Sequence, residues 1–135
     1  IVELGTKLSG AVAVAPVTDW KKLIDDVSPT PFEVHFRGIY GQNNKGLYDK
    51  SSIVKNLSKL NKPLYVFHGD LDKQVPFSQS EYLFKEALKV GKDIKYYSVK
   101  NQAHVINGVS QNEAICSKLI EMLSVSTTTE LCVMR

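Results

Sequence analysis

The chain has 135 residues, 43% of them apolar, which is about one ordinary domain with enough hydrophobic material to bury a core. Seventeen basic residues against 14 acidic ones give a net charge of +3, and the lysines are scattered rather than gathered into a stripe, so the charge pattern supports no nucleic-acid partner. No apolar run approaches the roughly 20 residues that span a bilayer, and the two cysteines are too few for a disulfide framework or a metal-ligand cluster.

The chain therefore reads as soluble, with no metal and no cofactor implied. Its compartment stays open, the cytoplasm slightly favoured, because the first residues carry neither a charged leader nor a cleavage site. "IVELGTKLSG" lacks an initiator methionine and reads as the last turns of a helix ending at Gly10, so the domain is expected to begin further upstream. "GAVAVAPV" (10–17) follows, a small and β-branched apolar run bounded by Gly and Pro, as in a strand buried on both faces. From Thr18 to Leu60 the periodicity is weak and broken by Pro29, Pro31, Gly38, Gly41 and Gly46, with short helices expected at 19–25 and 51–59.

"KPLYVFHG" (62–69) is a second buried strand. The next helix is marked by a capping box from Ser78 to Glu81, a stripe of Leu83, Ala87 and Val90 with Phe84 and Leu88 beside it, and a stop at Gly91. "DIKYYSV" (93–99) is a third strand, and a second capping box, Ser110 to Glu113, opens a helix whose Ile115, Leu119, Met122 and Leu123 share one face. Cys116 falls on the inner side of that helix and reads as a buried free thiol. The polar stretch 124–135 is left as a tail.

Apolar strands alternating with helices specify an α/β fold, a parallel sheet flanked by helices. Function in such sheets collects at the carboxyl ends of the strands. Two loops lie there: 69–76, where Gly69 permits a sharp exit followed by Asp70 and Asp72, and 100–109, which carries His104. Adjacent loops at one sheet edge can bring an Asp and a His together across a long stretch of sequence. A carboxylate bonded to one imidazole nitrogen fixes the tautomer and stabilises the imidazolium, and the other nitrogen is left to take a proton from a nucleophile. Taken singly, a loop histidine is surface and an Asp at a strand exit is turn chemistry. Taken together, after consecutive parallel strands, they form two thirds of a hydrolase triad, in the chain order of the α/β-hydrolases. His68 reads as a strand-end residue whose ring is satisfied by its neighbours, and His35 as loop surface.

The segments "AVAVAPVTDW" (11–20), "YDKSSIVKNLSKLNKPLYVFHGDLDKQVPFSQSEYLFKEALKVGKDIKYYSV" (48–99) and "NQAH" (101–104) resemble the prolyl oligopeptidase family of serine peptidases, with its dipeptidyl peptidase IV and acylaminoacyl peptidase branches. The pattern H-G-x-x-D-x-x-V-P is also shared with thioesterases and dienelactone-type hydrolases; "APVTDW" and the "QS" opening of the following helix favour the peptidases. The resemblance implies that residues 1–123 are the C-terminal part of an α/β-hydrolase catalytic domain. It implies Asp72, three positions beyond Gly69, as the triad acid and His104 as the general base. It puts Val17, Trp20 and Val75 in an apolar pocket for the side chain before the scissile bond, with Gln74 beside it.

Departures are the "HVIN" after His104, where the family commonly has Gly or Phe, and Leu23 in place of an aromatic of the dipeptidyl peptidase branch. No G-x-S-x-G occurs, and Ser9 near a helix end does not replace it. The expected partners are a peptide substrate, an upstream segment of the same protein carrying the serine, and a second copy in a homo-oligomer; alone, the 135 residues are expected to be inactive. An esterase or thioesterase of the same superfamily and a catalytically dead binding domain are the alternatives.

Overall fold

Three short segments, Ala11–Val14, Leu64–Gly69 and Ile94–Val99, concentrate β-branched and aromatic residues, whose stiff or broad side chains suit a pleated surface. In a computed structural model, which describes residues 10–27, 34, 38, 45–104, 113, 115–117, 120 and 121, they are β1, β2 and β3 of a 3-stranded sheet in the order β1-β2-β3. Both pairings are parallel, with Ala11 opposite Leu64 and Leu64 opposite Ile94. The carboxyl ends of all three strands therefore reach one edge of the sheet.

Helices α1 (Trp20–Val27) and α2 (Lys45–Ser51) and a 3-10 helix (Val54–Lys59) lie between β1 and β2, and α3 (Ser78–Lys89) joins β2 to β3. Side chains of β2 alternate between two faces. Leu64 and Val66 pack with Leu57, Leu60, Leu83, Ala87 and Ile94 on one side. Tyr65 and Phe67 pack with Val12, Tyr97, Val99 and Ile115 on the other, the Phe67 and Tyr97 rings stacked with centroids 4.9 Å apart. β2 is buried along its whole length, as a central strand covered on both faces must be.

Several local expectations change. The first strand ends at Val14 because Ala15 takes a left-handed φ of 46° and Pro16 has no N–H to continue the ladder. The helix expected over 51–59 is broken into the end of α2 and the 3-10 helix. Asn56 caps the end of α2, its Nδ2 donating to the carbonyls of Asp49 and Ser52, both at 2.9 Å, and its own φ of −118° kinks the 3-10 helix.

The Ser78–Glu81 capping box does not form. Phe77 already has helical backbone angles, so Ser78 lacks the extended conformation of a capping residue, and its Oγ sits 3.3 Å from Asp26 Oδ2 of α1 instead. Leu83 and Ala87 are the buried stripe, whereas Val90 lies beyond the helix and is 54% exposed; Gly91, at φ 64°, is the stop. Cys116 is disulfide-bonded rather than a free thiol, and half-buried rather than fully buried. Ser9, His35, Ser110, Leu119, Met122, Leu123 and the tail 124–135 lie outside the described residues.

Candidate active site

Gly69 closes β2, and its lack of a side chain decides where the neighbouring loop can go. A Cβ there would lie 2.5 Å from the Ala103 carbonyl oxygen and closer still to that of Gln102. The 100–104 loop packs directly onto the strand exit: the Leu71 amide donates to Gln102 O at 2.9 Å and the Asp70 amide to Val99 O at 3.2 Å. Asp70 completes the seam, its Oδ1 accepting from the Asn101 amide at 2.7 Å. Asn101 has a φ of 57°, a left-handed conformation that asparagine tolerates better than most residues.

Asp72 differs from Asp70 in what it holds. Its side chain is fully buried. Oδ1 accepts from the amides of Gln74 at 2.9 Å and Val75 at 3.0 Å, a turn in which the carboxylate stands in for a backbone acceptor. Oδ2 lies 2.9 Å from His104 Nδ1 and 3.2 Å from His68 Nε2. Four donors thus compensate the carboxylate for the water it has lost. A carboxylate only accepts, so the His104 proton sits on Nδ1 and the Nε2 lone pair remains free to take another. The His104 side chain is 34% exposed, at the boundary between the loop and solvent.

The exit of β1 is tied to the start of α3. Gln79, fully buried, accepts at Oε1 from the amides of Thr18 at 3.1 Å and Asp19 at 3.0 Å, and its carbonyl accepts from Thr18 Oγ1 at 2.7 Å. Ser52 Oγ accepts from the Trp20 amide at 3.0 Å and donates to Tyr48 O at 2.6 Å. Val17 and Trp20 are half-buried and Gln74 is exposed, while Val75 is only 3% exposed and takes part chiefly through its amide and carbonyl. Asp72 and His104 are therefore brought into contact. Among the described residues no cluster of three or more potential ligands could hold a metal ion.

Sequence reasoning gave His68, Ser80 and Gln79 no part in the site, reading His68 only as a ring satisfied by its neighbours. Their signal lies in periodicity: His68 follows Leu64 and Val66 on the face of β2 that turns toward α3. A histidine there needs polar partners in the first turn of that helix, and Gln79 and Ser80 are the polar residues available.

The model of the prolyl oligopeptidase family matches residues 4–123. Among solved structures, a putative dipeptidyl aminopeptidase IV from Bacteroides ovatus matches with a TM-score of 0.74 at 14% identity, over 91% of this chain and 16% of that one. Dipeptidyl peptidase 4 from Porphyromonas gingivalis matches with a TM-score of 0.70 at 18% identity, over 89% of this chain and 16% of that one. A puromycin-hydrolyzing peptidase from Mycobacterium tuberculosis matches with a TM-score of 0.72 at 15% identity, over 90% of this chain and 19% of that one. At these identities the likeness is one of fold, that of the α/β-hydrolases. The chain spans less than a fifth of the length of each of these proteins.

Proposed function

Because this chain belongs to the prolyl oligopeptidase family, we propose that it is the C-terminal part of a serine peptidase catalytic domain, in which Asp72 and His104 serve a serine carried by an upstream segment of the same protein. The observation that carries this reading is the 2.9 Å contact between Asp72 Oδ2 and His104 Nδ1, with Asp72 buried and its other acceptor positions filled. His104 Nε2 takes the serine proton as the hydroxyl attacks the peptide carbonyl, then returns it to the leaving amine. Asp72 stabilises the imidazolium that forms in between. Water then cleaves the acyl-enzyme by the same proton route in reverse.

The substrates are short peptides with a small or proline residue before the cut. We assign the half-buried Val17 and Trp20 and the buried Val75 to the pocket for that residue, with the exposed Gln74 beside it to bond the peptide backbone. The names carried by structures of the same fold, a dipeptidyl aminopeptidase IV and a puromycin-hydrolyzing peptidase, support cleavage of small peptide-like amides.

The test is labelling of the full-length protein with a fluorophosphonate probe, followed by turnover of dipeptidyl and acyl-amino-acid amides. The wild type should label at its serine, and His104→Ala should lower turnover by about 10³-fold or more. The 135 residues alone, which contain no G-x-S-x-G, should not label. A folded full-length protein that does not label would be a binding domain instead. One that labels but turns over only esters or thioesters would be an esterase.

A further inference from the structure

His68 is the one fully buried histidine among the described residues, and the peptidase chemistry above makes no use of it. Its surroundings nevertheless dictate its proton. Nε2 faces two acceptors, the Val75 carbonyl oxygen at 2.9 Å and Asp72 Oδ2 at 3.2 Å. With the proton elsewhere, the Nε2 lone pair would oppose both oxygens, so Nε2 carries the N–H. Nδ1 lies 2.6 Å from Ser80 Oγ in the first turn of α3. With Nε2 protonated in the neutral ring, Nδ1 accepts and the Ser80 hydroxyl donates. Phe77 closes the pocket edge-on, its ring centroid 5.8 Å from that of the imidazole. Asp72 is the charged group that bonds this ring among the described residues, and Ser80 is the polar group that reaches it from the helix.

The consequence falls on one atom. Asp72 Oδ2 is shared between His68 and His104, so the charge available to stabilise the His104 imidazolium depends on how much His68 already engages. From this geometry we infer that Ser80 and His68 are positioning residues: Ser80 fixes the orientation of the His68 ring, and His68 holds the Asp72 carboxylate and sets the basicity of His104. This rests on the peptidase reading for its meaning in catalysis, but not for its physics. Neither residue touches substrate. An apolar side chain in place of the imidazole would leave Oδ2 to His104 alone, so the strand-end histidine is a means of adjusting the base from behind.

The experiment uses the full-length protein and three variants, His68→Leu, His68→Gln and Ser80→Ala. The His104 titration midpoint is read by NMR from its ring carbon-bound protons, and the acid limb of turnover from the pH–rate profile. Removing the N–H in His68→Leu leaves the charge of Oδ2 to His104 alone, and both midpoints should rise by about 0.5 pH unit. Ser80→Ala, which keeps the ring but frees its orientation, should move them the same way by about half as much. His68→Gln restores a donor near the same place and should bring both midpoints back to within about 0.2 unit of wild type.

Ser80→Ala removes only one oxygen, so it remains informative if His68→Leu does not fold. Unchanged midpoints in both variants, with only a lower melting temperature, would make the pair purely structural and overturn the inference. If the wild type has no hydrolytic activity yet the NMR midpoint moves as stated, the peptidase reading fails while the coupling stands. If the wild type is active and neither midpoint moves, the coupling alone fails.

Discussion

Asp19 and Asp72 are both buried carboxylates a few residues past the end of a parallel strand, 4% and 6% exposed, yet they are embedded in different ways. Asp19 accepts from the Lys22 amide at 3.1 Å and so caps the start of α1, with the Lys55 ammonium 3.7 Å from its second oxygen. Everything its carboxylate bonds belongs to the helix or to a partly exposed lysine. Asp72 spends one oxygen on the amides of its own turn and the other on two imidazoles. Burial of an acid at this edge of the sheet therefore does not single out the proposed triad acid. The groups on its second oxygen carry that proposal, because only a titratable donor with a free second nitrogen can pass a proton onward.

The strongest way to break this comparison is to neutralise each acid in turn. Asp72→Asn in the full-length protein keeps the shape but replaces an acceptor-only group with one that can donate, which spoils the tautomer of His104; turnover is expected to fall by about 10⁴-fold. Asp19→Asn keeps a side-chain oxygen to cap α1, so turnover should stay within about threefold and the loss should appear as roughly 0.5–1 kcal/mol of stability in urea denaturation. Equal losses of turnover in the two variants would mean that the second oxygen of Asp72 is not special.

Gly69→Ala attacks the same contact without touching either charged residue. The added Cβ meets two backbone carbonyl oxygens, of Gln102 and Ala103, which unlike a flexible side chain cannot rotate aside. The His104 loop must shift by about an ångström, and turnover should fall by about 10²-fold while fluorescence-monitored melting shows a folded protein destabilised by about 1–3 kcal/mol. Wild-type turnover in this variant would show that the two loops are held together by something other than their close approach at Gly69.

How far the sequence carried the argument differs between these regions for a physical reason. β2 was legible because an all-apolar run ending in H-G has few alternatives, and Asp72 and His104 were legible because parallel strands deliver their exits to one edge. The helix breaks were not. Asn56 ends α2 through bonds from its side chain to carbonyls several residues back, and Ser78 loses its capping role because Phe77 is already helical. Both outcomes depend on backbone angles that periodicity does not encode. His68 was read as satisfied by neighbours, which holds, but the neighbours include the acid itself, and only the packing of β2 against α3 reveals that.

The β1 exit offers the smallest and sharpest of these contrasts, since one side chain of α3 holds two of its consecutive amides. Gln79 Oε1 accepts from two consecutive amides, Thr18 and Asp19, which no strand or helix ladder satisfies. Gln79→Leu preserves the bulk and leaves both amides buried without that acceptor, so it should cost about 2–3 kcal/mol in chemical denaturation, one desolvated donor for each amide. Because the tether ends at Thr18 and Asp19, directly before Trp20, the loosened segment should also raise KM for peptide amides by a few fold while kcat changes little. A fall in kcat at constant KM would instead couple the first turn of α3 to the Asp72–His104 pair through Ser80, the residue next to Gln79, and would move the boundary between the two regions from the loops into the helix.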